Sequence, residues 1–424
     1  MVDSTGKPAL KRENGFALLA VLGVSLALFL FALAAVHHLI GVQARLKHEL
    51  FWPLQVETFR DSLVYRDRFL LPSTIRDIQA PLAGNALSWR RYAWHDRDYV
   101  ARWRHAWSTD VALRVENERY PLMFTLATNI RGIIQVDRDD VYLHLGSEHM
   151  REAVFRVGAP WSDPPAWDLA LVSAFRRSCD AQLETAAFGR RGGIVIEDST
   201  LVLTDACLAF RDSLQLVHCT LTGAGSIACG GPLRLAGCRV MKGAEVYAAG
   251  VLSVDDSTSY SECLLYSAQG CELGGLAAGY AQIATPGYLE VRAHTRMRGP
   301  NDLLVLPGTG AAGSRRIRLR DHASVEGNLL FLSEREPIQD GGVVLELNSV
   351  VTGLVMSDTW VDPQGTVRGS LITRRLGVLD EQGARTTSEM GFCNLQGPAH
   401  ERKFDLPPLF QDARPEPSQV LEER

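Results

Sequence analysis

Six of the eight cysteines (Cys207, Cys219, Cys229, Cys238, Cys263 and Cys271) fall within 65 residues, and no two of the eight are spaced C-x-x-C. Zinc sites draw their cysteines from such close pairs, so the cluster does not read as a metal centre. Cys219 and Cys238 lie 19 residues apart, and each precedes an aliphatic residue by two (Leu221 and Val240). If the chain stacks on itself every 19 residues, adjacent strands about 4.8 Å apart would bring this pair within disulfide range. The alternative is that both are small buried hydrophobes. Other chemistry-bearing residues are sparse. His218 and His322 have no motif around them, Asp255 and Asp256 form a lone acidic pair, and the "GAGSIACGG" segment is not ordered as a G-x-S-x-G nucleophile elbow. No catalytic residue, metal site or cofactor is expected.

Something must place these residues, and from Gly193 the chain shows what. Leu201, Leu208, Leu214, Leu221, Ile227, Leu233, Val240, Val246 and Leu252 recur every six or seven residues, separated by Gly, Asp or Ser. That spacing suits strands of three to five residues that turn one or two aliphatics inward and cannot bury a face alone. They must stack as a solenoid, and three faces per coil predict a coil of about 19 residues. Further on, "ASVEGNLLFLS", "SVVTGLVMSD" and "GTVRGSLITR" superpose, aligning Val325, Val351 and Val367, then Gly327, Gly353 and Gly369, then Leu329, Val355 and Leu371. A parallel β-helix over 191–376 is expected. Its texture resembles bactofilins and the β-solenoid modules of surface or secretion proteins, which implies an architecture and leaves the role open.

Among enzymes built on such coils, hexapeptide-repeat acyltransferases need a histidine base, and polysaccharide lyases and hydrolases need converging carboxylates or a calcium-binding acidic cluster. Neither requirement is met by a recognisable motif, so an enzyme is not expected, with an exported carbohydrate-active β-helix as the remaining alternative of that kind.

Residues 16–36 carry no charge, and 21 helical residues would span about 30 Å, the hydrocarbon thickness of a bilayer. A transmembrane helix is expected over 16–40 behind a cytoplasmic leader (1–15) containing Lys7, Lys11 and Arg12. The run is longer than a signal peptide's usual apolar region, although Ala32-Leu33-Ala34 offers a cleavage site. The "KRENGFALLAVLG" segment resembles the processing site of type IV prepilins and of type II secretion pseudopilins. That resemblance implies cleavage between Gly15 and Phe16. The glutamate usual at the fifth mature position is replaced by Ala20, which points to a minor subunit.

Between the membrane segment and the solenoid, 41–190 reads as a small α/β stalk domain. Within it, "VQARLKHELFWPLQVETFRDSL" continues a helical period. Ile133–Val136 and Val141–Leu145 read as a hairpin around Asp137–Asp140, and a helix begins near Ala166 with Asp163 or Asp168 at its start. The "WRRYAWHDRDYVARWRHAW" segment (89–107) reads as a helix with its aromatics packed inward. Membrane contact and single-strand stacking are the functional alternatives. Residues 377–424 read as a cap, with Leu406–Phe410 over the last coil, followed by a disordered tail.

The expectation is therefore a mainly β chain: a transmembrane helix, a small α/β stalk and a C-terminal parallel β-helix, single-pass in a bacterial inner membrane with its bulk periplasmic or extracellular. Its partners would be the membrane, pilin-like subunits or copies of itself, and envelope glycans. The formal charge of −5 gives no reason to expect nucleic acid.

Overall fold

The computed structural model describes residues 21–26, 28–36, 38, 76–77, 89–94, 97–116, 122–124, 128–136, 141–143 and 153–157, and then 166–423 apart from 204–206, 224, 242, 309–314, 334–340, 381–382, 388, 391–392, 398–401 and 411–415. The chain divides into two units, Met1–Thr74 and Ile75–Arg424. In the first unit the described residues are helical and exposed. The transmembrane helix expected over 16–40 is corrected here. Among the described residues no helix is long and apolar enough to cross a membrane, and no described helical run there reaches the roughly 20 residues a crossing requires. The single-pass inner-membrane placement is corrected with it. Gly15, Phe16 and the segment 42–63 lie outside the described residues.

The second unit is built on a parallel solenoid with three faces. Face A begins at Ile194–Glu197, face B at Thr200–Val202 and face C at Cys207–Phe210. Every third aliphatic of the six-to-seven spacing stacks on the same face. Leu214 pairs with Leu233 and Leu233 with Leu252 on face A; Leu201 with Leu221 and Leu221 with Val240 on face B; Leu208 with Ile227 and Ile227 with Val246 on face C. These columns fill the interior, and beyond the first coil their members are fully buried. The aligned glycines also stack, Gly327 on Gly353 and Gly353 on Gly369, between paired valines and paired aliphatics. They turn the chain from face B to face C with φ of 136°, 156° and 152°. A Cβ at any of them would run into a backbone carbonyl of the preceding coil, so close approach requires glycine there.

Residues 111–157 do not form a separate α/β stalk. Leu113 pairs in parallel with Leu371, Ile130 with Leu395, Ile134 with Leu113, and Phe155 with Ile134. This early segment thus continues the solenoid beyond its C-terminal coils. The expected hairpin is absent as well: Thr128–Val136 lies in the main sheet, and Val141–Leu143 pairs in parallel with Leu122–Phe124. The acidic run 137–140 lies outside the described residues. The segment 89–107 is also not helical. Trp89–Trp94 and Arg97–Thr109 form an antiparallel pair. The C-terminal residues pair with the longer of these strands, Arg402–Leu406 at one end and Glu416–Glu423 at the other, so the described part of the expected disordered tail is a strand.

The chain returns to the first coil through helix α1 (Leu169–Ala186). Asp168 caps it, its carboxylate accepting from the amides of Ala170 at 2.8 Å and Leu171 at 3.2 Å. At about 1.5 Å per residue, 18 residues reach across five to six strands spaced about 4.8 Å apart. Val172, Phe175, Cys179 and Ala186 pack on the outer side of face C, against Ala228, Tyr247, Leu264, Tyr266 and Tyr280. Leu406, Leu409 and Phe410 belong to the same outer cluster. The expected C-terminal cap therefore packs into the side of the solenoid.

Candidate functional site

The cysteines have a structural explanation. Cys219 and Cys238 occupy equivalent positions on successive coils, immediately before the paired strands at Thr220 and Arg239. Both are buried free thiols. The thiol of Cys219 donates to the carbonyls of Ile196 and Val217, and that of Cys238 to those of Leu216 and Ala236. On the next coil the Thr258 hydroxyl donates to the Leu235 carbonyl at 3.2 Å, and further along Ser349 donates to the Glu346 carbonyl at 2.7 Å. One corner column thus uses thiols and hydroxyls interchangeably as small donors that tie the turn from face A to face B. Cys229 serves the corner from face C to face A, donating to the carbonyls of Asp212 and Pro232.

The histidines lie on the same A-to-B corner. His218, His294 and His322 have φ of 51°, 62° and 58°, followed by Asn348 at 63°. The rings of His294 and His322 stack with centroids 5.2 Å apart. Asp255 staples its turn by accepting from the Gly237 and Ser257 amides and from the Ser257 and Thr258 hydroxyls. Burial opposes ionisation of Asp255, but these hydrogen bonds prevail and hold its carboxyl below the usual range. Among the described residues no group of three or more His, Cys, Asp or Glu could hold a metal ion.

Two clusters were missed by sequence reasoning. The first lies under helix α1. Glu245 is fully buried and accepts from the Tyr247 hydroxyl. Burial pushes its carboxyl up to about 7, against the Tyr247 hydrogen bond. Burial also pushes up the facing Cys179 thiol, helped by the charges of Glu245 and Asp180, so this thiol stays protonated and unreactive. Glu245 occupies an outward position of "AEVYAAG", where the solenoid register alone marks it as anomalous.

The second is a cleft of about 200 Å³ at the corner from face C to face A. Ser357 pairs with Thr373 and Thr373 with Val115, and the residues that follow them, Asp358, Arg374 and Glu116, line the cleft from three successive coils, with a register shift just past Ser357. The third coil comes from the early segment, and the Glu116 amide donates to the Thr373 carbonyl at 3.0 Å. Trp167, just ahead of α1, also lines the cleft, with Met356 and Ile372. Burial pushes the Asp358 carboxyl up to about 6. Hydrogen bonds from the Ser333 amide and the Trp167 side chain, together with the Arg374 charge, pull it the other way. Arg114 pairs with Glu116 at 3.1 Å. The cleft thus offers two carboxylate acceptors and a guanidinium donor beside apolar surface.

The first coil differs from those stacked on it. Leu208 is 40% exposed, whereas Ile227, directly above it, is at 0%. Ile194, Ile196 and Leu201 are half-buried, whereas their partners Leu214, Leu216 and Leu221 are buried. Val195, Val202 and Phe188 add exposed apolar surface. Comparison with known proteins adds nothing to these observations: no family model matches the chain, and no curated protein or solved structure matches it either.

Proposed function

We propose that the protein is a structural, non-catalytic assembly component whose solenoid associates with a second copy through its first coil. The observation that carries this reading is the exposed first turn of the interior columns. Leu208, Ile194, Ile196 and Leu201 continue columns that are buried one coil further in. Solenoids need polar terminal repeats to stay apart, and an open strand edge is a template for another strand. A second copy is the partner favoured here, because the surface offered is a strand edge bearing interior aliphatics, and a coil of the same chain has the matching period. The resemblance of the repeats to bactofilins agrees with a polymerising scaffold.

The test is analytical ultracentrifugation of the full chain. We expect species larger than the monomer that grow with concentration. The double variant Val202→Lys/Leu208→Lys places charge at the rim and should return the protein to monomer with an unchanged circular dichroism spectrum. A wild-type protein that stays monomeric over the whole accessible concentration range would sink the proposal.

A further inference from the structure

We propose that the cleft lined by Asp358, Arg374, Glu116 and Trp167 is a binding subsite for one neutral sugar ring of a glycan. Three coils, one supplied by residues 111–116, bring a carboxylate, a guanidinium and a carboxylate to the lining of one cleft, the first of them at the register shift that follows Ser357. A pyranose hydroxyl both donates and accepts, so one ring can meet both the carboxylates and the guanidinium that line the cleft. Its C–H surface suits the apolar wall of Trp167, Met356 and Ile372.

Charge narrows the ligand class. A phosphate or carboxylate ligand would meet two acidic side chains, and a cation would meet Arg374, while Glu116 is already paired with Arg114. A neutral polyol meets neither penalty. Size narrows it further. At about 200 Å³ the cleft is smaller than the roughly 300–1,000 Å³ of sites that enclose a whole drug-sized ligand. One ring fits, and the rest of the chain would extend into solvent. A carboxyl shifted by burial and lying in a cleft lined by other polar groups is the pattern functional sites show. This inference does not depend on self-association through the first coil.

The experiment is saturation-transfer NMR on the full chain, with glucose and N-acetylglucosamine as neutral probes and galacturonate and glucosamine as charged comparators. Both neutral sugars should receive saturation, and the charged ones less. Ala166→Trp fills the mouth from an exposed position and should abolish the transfer with the unfolding midpoint unchanged. Arg374→Met should weaken affinity about tenfold. If Ala166→Trp lowers the midpoint, Arg374→Met decides alone. The inference is overturned by an absence of transfer from both neutral sugars, by transfer that survives these variants, or by tighter binding of galacturonate or glucosamine.

Discussion

Faces A and C of the solenoid share the same interior and differ only on the outside. Inward, both stack aliphatics in register. Outward, face A carries charges that pair between coils: Arg292 with Glu272 at 2.9 Å, and Arg320 with Glu290 at 2.8 Å and with Glu346 at 3.2 Å. Outward on face C stand Ala228, Tyr247, Tyr266, Ala284, Leu304 and Leu330, all buried beneath helix α1 and the chain near Phe410. A coil can therefore meet water or carry a second layer, and the choice rests on one outward residue in two. The layer on face C brings polar groups into the interior, where they must find partners. Tyr266 donates to Asp180 at 2.8 Å, and Asp302 accepts from Tyr280 at 3.0 Å and from Asn328 at 2.8 Å. Glu245 is the costly member, because its carboxyl is buried with one phenol as partner.

The comparison breaks most easily at the apolar contact. Phe175→Ala removes the largest buried side chain of α1 and should cost about 3–5 kcal/mol in denaturant unfolding. Amide exchange should quicken in α1 and leave face A protected. A loss below about 1 kcal/mol would mean that α1 is not held by this face. Glu245 sharpens the contrast through pH. Its folded value, about 7, lies above its ordinary 4.5, so between those values the folded chain binds more protons than the unfolded chain. Stability falls as pH rises through that window, by roughly 3 kcal/mol from this one group. Asp358 adds a slope of the same sign, so the readout is the difference between proteins. Glu245→Gln should flatten the decline in midpoint between pH 5 and pH 8 relative to wild type. Equal declines would show that Glu245 does not carry it.

The interior of the solenoid was legible in the sequence because every inward position must be apolar at every coil; Leu201, Leu221 and Val240 announce face B without any knowledge of the rest. The outer layer was not. Residues 113–115 stack on 371–373 across more than two hundred positions of chain, and no local period reports such a pairing. The tryptophans at 89, 94, 103 and 107 follow neither a helical nor a strand period, and the pairing with 416–423 makes a strand of a segment with no clear preference. The same distance hid the cleft. Glu116, Trp167, Asp358 and Arg374 come from three parts of the chain and meet only in the folded molecule. Cys219 and Cys238 were visible as a 19-residue pair, but their role as turn donors shows only beside Thr258 and Ser349, where hydroxyls serve the same corner.

Two smaller changes test the ends of the contrast. Asp168→Ala removes the two amide hydrogen bonds at the start of α1 and should cost about 1 kcal/mol, while Asp168→Asn should keep most of the cap. Arg320→Ala, on face A, should have the least effect. Arg320 bridges Glu290 and Glu346 from neighbouring coils, and its side chain is 36% exposed. Pairs in that position contribute about 0–1 kcal/mol each, and salt screens them. The expected loss is therefore under about 1 kcal/mol in low salt and shrinks in high salt, whereas the Phe175→Ala loss should not shrink with salt. A loss for Arg320→Ala as large as that for Phe175→Ala, and insensitive to salt, would mean that the charged ladder on face A holds the coils together as firmly as the packed layer on face C, and the distinction between the two faces would fail.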